Sequence, residues 1–357
     1  VRRSRRCKKS PLAISPDAIS RPSSTCRAWL SSGPRLYKER WLTKEVQLDY
    51  RTLGKTGIEV SDVGLGCWAI GGASFKGRDP TGWSGADIGE SVETVRLARE
   101  IGVSFFDTAD AYGRGKSEVL VGMGLQGHKH QAVIATKVGN SLAAPEQNFT
   151  ERYIRGALDA SLTRLEADHV DLYLLHGPPV DAMTDDLFGL MGDLKKSGKI
   201  RGWGVSIAKV EEGMRAIEGG AEVIQLVYNV LEQDIGNVIL PIAQKENIGI
   251  IARVPLASGW LTGKYGAGTV FQKDDHRSVR YPAASAGEMA AKVAELDFLL
   301  DEAGSLAEAS LRFVLSHPAV STVIPGAKNR DQVRQNVVAS GKVLSESSLS
   351  RISKMFG

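Results

Sequence analysis

Short apolar runs alternate with longer stretches of helical period along the chain from residue 48 onward. The apolar runs are continuous rather than interrupted by alternate polar positions, which is the pattern of strands whose two faces are both covered. Nearly every run is followed by a stretch with the 3.6-residue period of an amphipathic helix. The eight predicted strands lie at 63–67, 103–107, 132–137, 170–176, 201–206, 223–229, 248–253 and 320–325.

Strict alternation of strand and helix, eight times over, predicts a single closed (β/α)8 barrel, the TIM barrel. An open doubly wound sheet is the alternative. It is disfavoured because no Gly-x-Gly-x-x-Gly pattern opens a helix, and the glycines of GLGCWAIGG at 64–72 have the wrong spacing. The segment 49–61 before the first strand predicts a short N-terminal hairpin, which we expect at the bottom of the barrel.

The charge distribution divides the chain in two. Residues 1–46 contain 12 Lys and Arg against three acidic residues, a formal charge of +9, whereas the whole chain of 357 residues carries only +4. We therefore predict a basic, Arg- and Ser-rich leader at 1–46 and one barrel domain at 47–357. The leader has the composition of a transit peptide, but a disordered tail or an over-extended start fits as well. A cytoplasmic location is expected, or an organelle such as the plastid if the leader is a transit peptide.

The remaining residues have a formal charge of −5, so no basic face for nucleic acid is predicted. No run reaches the roughly 18 apolar residues of a membrane helix, and a soluble protein is expected. Three cysteines, two of them in the leader, favour a reducing compartment. His128 and His130 have no further ligand cluster beside them, so no metal site is predicted. The sequence leaves open whether the protein is a monomer or a homo-oligomer.

Titratable residues end three neighbouring predicted strands. Asp107, Lys137 and His176 close the second, third and fourth strands, and Tyr112 lies in the loop after the second. In a TIM barrel the carboxyl ends of the strands form the active-site face. We therefore expect these four side chains to converge on one rim of the barrel.

The four residues suit the reduction of a carbonyl group, which needs a proton at oxygen while hydride reaches carbon. Tyr112 is a weak acid, and a cationic Lys137 beside the phenol would lower its pKa. Asp107 would hold that ammonium in place and offset its burial. His176 would donate a hydrogen bond to the carbonyl oxygen and orient it.

Seven segments resemble the aldo-keto reductase superfamily in order and spacing, and together they span roughly residues 48–340: FFDTADAYGRGKSE, VIATK, VDLYLLHGP, GKIRGWGVS, IQLVYN, PLASGWLTGKY and VSTVIPGAKNRDQVRQN. The resemblance implies an NADP(H)-dependent oxidoreductase, with NAD(H) as the alternative cofactor. Its substrate would be a small aldehyde, ketone or sugar, reduced at the carbonyl to an alcohol. Asp107, Tyr112, Lys137 and His176 would be the catalytic residues, with Tyr112 as the general acid.

The resemblance also implies where the cofactor is bound. Ser206 and Gln225 match residues that hold the nicotinamide carboxamide, and Arg253 stands where the family often has a tyrosine stacked on the nicotinamide. The segment 255–259 matches the loop over the pyrophosphate. The segment 326–336 matches the adenosine half, where Lys328, Asn329 and Arg330 would contact a 2′-phosphate. The implied cofactor contacts are Gly66, Cys67, Trp68, Asp107, Ser206, Gln225, Arg253, Pro255, Leu256, Ser258, Gly259, Gly326, Lys328, Gln332, Gln335 and Asn336.

Two other functions would use the same residues. One is a cofactor-binding, redox-sensing regulatory subunit of the channel-β type, and the other is a sugar dehydrogenase working in the oxidising direction.

The substrate depends on the loops at 69–87 and 266–284, whose shape the sequence does not determine. Within the second loop, Arg277, Arg280 or Tyr281 would line the substrate or lie on the surface. Trp68 and Trp260 are candidates for an apolar pocket wall or for the core.

Overall fold

The computed structural model describes residues 47–140 and 146–357. The predictions for the basic leader at 1–46 fall outside the described residues and stay predictions.

The described residues contain twelve strands: β1 (Tyr50–Thr52), β2 (Glu59–Ser61), β3 (Leu65–Gly66), β4 (Phe75–Lys76), β5 (Asp79–Pro80), β6 (Phe105–Asp107), β7 (Val133–Val138), β8 (Val170–His176), β9 (Ile200–Ser206), β10 (Val223–Val227), β11 (Gly249–Arg253) and β12 (Val320–Val323). β1 pairs with β2, and β4 with β5, as antiparallel hairpins. The other eight form one parallel sheet in chain order from β3 to β12.

The parallel sheet closes on itself. The backbone bridges Val63–Val323 and Gly66–Gly326 join the first strand region to the last, and the amide of Gly66 donates to the carbonyl of Pro325 at 3.1 Å. The predicted (β/α)8 barrel is therefore confirmed.

Observed and predicted strands differ mainly at their ends. β6 begins at Phe105 rather than at 103, because the amide of Val103 donates to the carbonyl of Ala98 at the end of the preceding helix, 2.9 Å away. β7 continues to Val138, so Lys137 is the penultimate residue of its strand and not the last.

The described residues contain eleven α-helices: α1 (Ile88–Glu100), α2 (Lys116–Gly124), α3 (Glu151–Leu165), α4 (Asp185–Lys196), α5 (Val210–Glu218), α6 (Asp234–Lys245), α7 (Arg277–Arg280), α8 (Ala286–Ala294), α9 (Leu306–Leu315), α10 (Arg330–Val337) and α11 (Glu346–Phe356). The sequence pattern does not predict α7, α11 or the β4–β5 hairpin. Across the described part of the chain, no helix has the length and apolarity needed to cross a membrane.

Five of the eleven helices in the described residues, α1, α4, α9, α10 and α11, begin with a side-chain cap. Asp87 caps α1 by accepting from the amide of Glu90, and Thr184 caps α4 in the same way. Thr150 occupies the N-cap position of α3, but its hydroxyl donates to Asn148 Oδ1 at 2.8 Å and does not cap the helix.

The N-terminal hairpin lies against the amino-terminal end of the barrel. Leu53 and Ile58, in its turn, are buried in one apolar cluster with inward-facing strand residues such as Leu172 and Ile251. A Cβ at Gly249 would approach the Leu53 side chain to 2.8 Å, so this strand needs glycine there. The hairpin thus covers one end of the barrel, which leaves the carboxyl-terminal end for a ligand.

Candidate active site at the barrel mouth

The structure brings together the side chains that the sequence placed on one rim. Asp107 ends β6, Lys137 lies near the end of β7, and His176 ends β8. Tyr112 follows β6 in a turn in which its amide donates to the carbonyl of Ala109 at 3.1 Å. Three adjacent parallel strands therefore deliver three of the groups, and one short turn delivers the fourth.

Glycine allows Tyr112 to reach this position. A Cβ at Gly71 would lie 3.1 Å from the backbone of Tyr112, and Gly113 has a φ of 58° that favours glycine. The ring of Trp68 stacks on the phenol ring with centroids 5.9 Å apart. The backbone approach and the ring stack hold the phenol in a defined orientation.

Lys137 is the centre of the polar cluster. Its ammonium donates to Asp107 Oδ1 at 2.6 Å, to the carbonyl of Thr108 at 2.8 Å and to the hydroxyl of Tyr112 at 3.1 Å. The Lys137 side chain is fully buried. A buried ammonium is tolerated when oxygen atoms take up all its protons, and here three acceptors do so.

The carboxylate of Asp107 is bound on both oxygens. Gln225 Nε2 donates to Asp107 Oδ2 at 2.7 Å, and Ser206 Oγ donates to Gln225 Oε1 at 3.0 Å. The resemblance implies only a cofactor contact for Ser206 and Gln225, whereas in the structure they also orient Asp107. An amide oxygen accepts two hydrogen bonds, so Gln225 keeps one acceptor position open.

The pKa of Tyr112 differs from the expectation. Burial raises it, the charge and hydrogen bond of Lys137 lower it, and Asp107 raises it, so the net pKa lies above the ordinary value. Lys137 acts to lower the pKa of Tyr112 as predicted from the sequence, but the burial of the phenol, which that prediction left out, outweighs Lys137. The phenol is therefore protonated at neutral pH.

The ammonium of Lys137 remains charged in this setting. Burial acts to lower its pKa, but Asp107 and Tyr112 outweigh burial, and the net pKa is raised. A protonated phenol thus lies beside a permanent cation.

His176 presents a neutral imidazole to the same cluster. Burial, followed by the charges of Lys137 and Arg253, lowers its pKa well below the ordinary value. Its ring lies edge-on to Tyr112 with centroids 5.8 Å apart, and its buried Nδ1 has no hydrogen-bond partner among the described residues. A neutral imidazole carries one N–H and one acceptor nitrogen, so it can donate to a carbonyl oxygen without adding charge.

Arg253 ends β11 on the same rim. Its Nη2 donates to the carbonyl of Ile207 at 2.9 Å, and its buried Nε has no partner within the described part of the chain. Burial lowers its pKa. Arg253 is therefore a largely buried cation that the residues around it leave partly unsatisfied.

Two loops that the sequence left undefined bind to each other beside the site. Asp275 accepts from the amide and hydroxyl of Ser84 at 3.2 and 3.0 Å, and the backbone amide of His276 donates to the carbonyl of Gly82 at 2.8 Å. The His276 ring lies 4.3 Å from the ring of Trp68. Trp68 thus contacts both Tyr112 and the second loop, in which Asp275, His276 and Arg277 are buried and Arg280 is exposed.

The segment assigned to the pyrophosphate has an unusual backbone. Val254, Ala257 and Ser258 have φ values of 56°, 45° and 56°, and Gly259 has 97°. Such conformations in residues other than glycine are costly and cluster at functional sites. Arg277, which the sequence predicted at the substrate or on the surface, contacts this segment instead: its Nη1 donates to the carbonyl of Ser258 at 3.5 Å.

Other positions in this region belong to the core. Trp260 is fully buried, and its ring centroid lies 5.5 Å from that of Tyr265 and 5.8 Å from that of Tyr281. Of the two predicted alternatives, Trp260 therefore belongs to the core. Cys67 is also fully buried, and burial raises the pKa of its thiol far above the ordinary range. Gly66 lies where a Cβ would approach the carbonyl of Ile324 to 2.7 Å, so glycine is needed there for closure of the barrel.

The cations assigned to a 2′-phosphate already have partners. Lys328 Nζ donates to the carbonyl of Ser84 at 2.7 Å. Arg330 makes a bidentate ion pair with Glu90: its Nε donates to Oε1 at 3.2 Å and its Nη2 donates to Oε2 at 3.1 Å. Asn329 caps α10 by accepting from the amide of Gln332.

Two other residues implied as cofactor contacts differ in exposure. Gln335 is exposed and Asn336 is buried. Gly326 has room around it, since the nearest atom to a Cβ there would be 3.8 Å away.

The residues present fit a nicotinamide dinucleotide. Gln225 offers an amide oxygen for a carboxamide, and Arg253 offers a buried donor without a partner. Near the pyrophosphate segment, Arg277 and Lys328 lie close enough for the charge of one to lower the pKa of the other. Paired cations beside a strained backbone segment suit a diphosphate.

Comparisons with known proteins agree with this geometry. Residues 62–356 match the model of the aldo/keto reductase family. The chain is 32% identical over 296 residues to the aldo-keto reductase YhdN of Bacillus subtilis, over 80% of this chain and 87% of that protein. It is 28% identical over 311 residues to a probable voltage-gated potassium channel subunit beta of Arabidopsis thaliana, and the match covers 82% of this chain and 91% of that protein. Among solved structures it is similar to glycerol dehydrogenase AKR11B4 from Gluconobacter oxydans, with 29% identity, a TM-score of 0.72 and coverage of 87% and 95%.

Proposed function

Because the chain belongs to the aldo/keto reductase family, we propose that it is an NADP(H)-dependent oxidoreductase that interconverts a small aldehyde, ketone or sugar carbonyl and its alcohol. One observation carries the proposal. The hydroxyl of Tyr112 lies 3.1 Å from the ammonium of Lys137, which Asp107 binds at 2.6 Å. A protonated acid beside a fixed cation is suited to give up its proton to a developing alkoxide.

In reduction, the carbonyl gains a hydride at carbon and a proton at oxygen. The reduced nicotinamide, when bound, supplies the hydride. Tyr112 supplies the proton, and Lys137 stabilises the phenolate that remains, which solvent reprotonates before the next turnover. His176 donates a hydrogen bond to the carbonyl oxygen and orients it. Asp107 acts through Lys137, and Gln225 acts through Asp107.

The cofactor contacts are proposed on the same basis. Ser206 and Gln225 bind the carboxamide, and Arg253 lies against the nicotinamide. The segment 255–259, supported by Arg277, covers the pyrophosphate. Lys328 and Gln332, at the start of α10, lie near the adenosine, with the helix N-terminus favouring an anion.

A substrate panel with a matched pair of variants tests the proposal. Wild-type protein is mixed with NADPH and a series of aldehydes, ketones and aldoses, and loss of reduced cofactor is followed by absorbance. We expect turnover on at least one substrate and a fall in kcat of about 10³-fold for Tyr112→Phe. Tyr50→Phe, which loses a hydroxyl bound to Gly102 at the other end of the barrel, should keep wild-type kcat. Equal kcat for Tyr112→Phe and wild type would overturn the assignment.

A regulatory subunit is the second candidate, favoured by the relative named as a potassium channel subunit beta. The same catalytic residues serve in both cases, so kinetics must separate them. A regulatory role predicts one slow oxidation of NADPH per chain, followed by retention of the oxidised cofactor. An enzyme predicts many turnovers with exchange of cofactor at each one.

A further inference from the structure

We propose that Arg253 disfavours the oxidised, cationic nicotinamide relative to the reduced, neutral one, and so shifts the equilibrium of hydride transfer between the bound species toward oxidation of the alcohol. The inference rests on the proposed function, because it assumes that the nicotinamide lies at the mouth of the barrel beside Ser206 and Gln225. It goes beyond that function by assigning a determinant of direction.

The position of Arg253 follows from strand register. Ser206 pairs with Gln225 across β9 and β10, and β11 pairs with β10 on the other side. The guanidinium reaches back across these strands to donate to the carbonyl of Ile207 at 2.9 Å. Ile207 directly follows Ser206, so the cation is tethered one residue from a proposed carboxamide ligand.

The charge of Arg253 has no counter-ion at ion-pair distance. Within the described part of the chain, no carboxylate lies within 4.0 Å of its guanidinium, whereas Lys137 on the same rim has Asp107 at 2.6 Å. The nearby Glu232 is bound to Arg280 at 2.9 Å and is not available to it. The field of Arg253 reaches the site: after burial and Lys137, its charge helps to lower the pKa of His176, and it acts against the burial that raises the pKa of Tyr112.

The two redox forms of the cofactor differ by one charge on the ring. Oxidised nicotinamide is a pyridinium cation, and reduced nicotinamide is neutral. A buried cation beside the ring therefore raises the dissociation constant of NADP⁺ relative to that of NADPH. Like charges about 4 Å apart would change this ratio about fivefold in water and about 10³-fold at an effective dielectric constant of about 20, so we expect a change of at least about tenfold.

The consequence for direction follows from the cycle of binding and chemistry. If NADP⁺ binds less tightly than NADPH, hydride transfer from alcohol to bound NADP⁺ is made more favourable by the same factor. A neutral aromatic side chain would give no such bias. A guanidinium plane can still stack on a ring, so Arg253 keeps the contact and adds the charge.

Calorimetric titration of the wild-type protein and its variants with NADP⁺ and NADPH tests the inference. Arg253→Gln and Arg253→Met remove the charge, and Arg253→Lys keeps it. The neutral variants should lower the ratio of the NADP⁺ dissociation constant to that of NADPH at least about tenfold. Arg253→Lys should keep the wild-type ratio within about twofold. Thermal unfolding identifies which neutral variant is folded, and the ratio is taken from that one.

A ratio in the folded neutral variant that equals the wild-type ratio overturns the inference, even if both forms bind more weakly. That outcome leaves the proposed function standing. Wild-type protein that binds neither NADP⁺ nor NADPH, nor NAD⁺ nor NADH, overturns the proposed function and this inference with it.

Discussion

Two cations at the mouth of the barrel are held in opposite ways. Lys137 is enclosed by oxygen atoms, with the carboxylate of Asp107 at 2.6 Å and the phenol of Tyr112 at 3.1 Å. Arg253 donates one hydrogen bond, to the carbonyl of Ile207, and leaves its buried Nε without a partner among the described residues. One charge is thus bound to the proposed proton donor, whereas the other has donor capacity left for a ligand.

The pKa values of the two cations differ in direction for this reason. Burial acts to lower both, and Arg253 keeps a lowered pKa. For Lys137, Asp107 and Tyr112 outweigh burial and the pKa is raised. Burial therefore does not determine the state of a cation until its partners are counted.

Removal of the compensated cation should have the largest effect. Lys137→Met leaves the phenolate without a counter-charge, and we expect kcat to fall by about 10³-fold or more. The measurement is single-turnover oxidation of NADPH by stopped flow. Lys292→Met, which breaks an exposed pair with Glu288 on α8, is the control. A kcat within tenfold of wild type would show that the ammonium is not needed.

Removal of Asp107, the counter-ion of Lys137, should have the second largest effect. Asp107→Asn leaves Lys137 buried without a carboxylate, and we expect the free energy of unfolding to fall by about 3 kcal/mol. Urea denaturation at neutral pH measures it. Unchanged stability would mean that the carbonyl of Thr108 and the phenol of Tyr112 compensate the ammonium alone.

Asp110 provides the opposite case, a buried acid without a cation bound to it at ion-pair distance among the described residues. Burial, then the nearby Glu118, raises its pKa to about 7, against about 3.9 in an unfolded chain. Between these values the native protein binds more protons than the unfolded chain. Stability therefore falls as pH rises from about 4 to about 7, and the loss is complete above that range.

Asp110→Asn should remove this dependence. Relative to wild type, we expect the variant to gain about 3 kcal/mol of stability between about pH 4.5 and about pH 8. The comparison requires urea denaturation of both proteins at the two pH values. A parallel loss of stability in both proteins would contradict the shifted pKa. At pH 8 Asp107→Asn should lower the free energy of unfolding, whereas Asp110→Asn should raise it.

The smallest effect is expected at the far end of the hydrogen-bonded chain. Ser206→Ala removes the bond to Gln225 Oε1 and loosens Gln225 against Asp107. We expect the binding free energy of NADPH to weaken by about 1 kcal/mol, which is a roughly fivefold weaker affinity. We expect kcat to stay within about threefold of the wild-type value. Fluorescence titration and steady-state kinetics separate the two. A large fall in kcat with unchanged affinity would instead place Ser206 in the proton-transfer machinery.

Much of the rim could be predicted because it depends on local pattern. Apolar runs mark the strands, and the residues at their ends must lie on one face of a barrel. Asp107, Lys137 and His176 were located in this way, and Tyr112 by its place in the loop after a strand. The small hairpin and α11 were missed because short elements carry little periodic signal.

Other features depend on contacts between distant parts of the chain. Gln225 binds Asp107 across 118 positions, and Asp275 binds Ser84 across 191. No local pattern encodes such pairs, because either residue would satisfy its hydrogen bonds with water if the fold did not bring them together.

The sequence by itself therefore determined the barrel, the identity of the four rim residues and the presence of an arginine at position 253. The tertiary structure alone decided which charges have partners and how strongly each group is buried. These decide the pKa of Tyr112 and leave Arg253 uncompensated, because desolvation and pairing depend on the atoms packed around a group rather than on its neighbours along the chain.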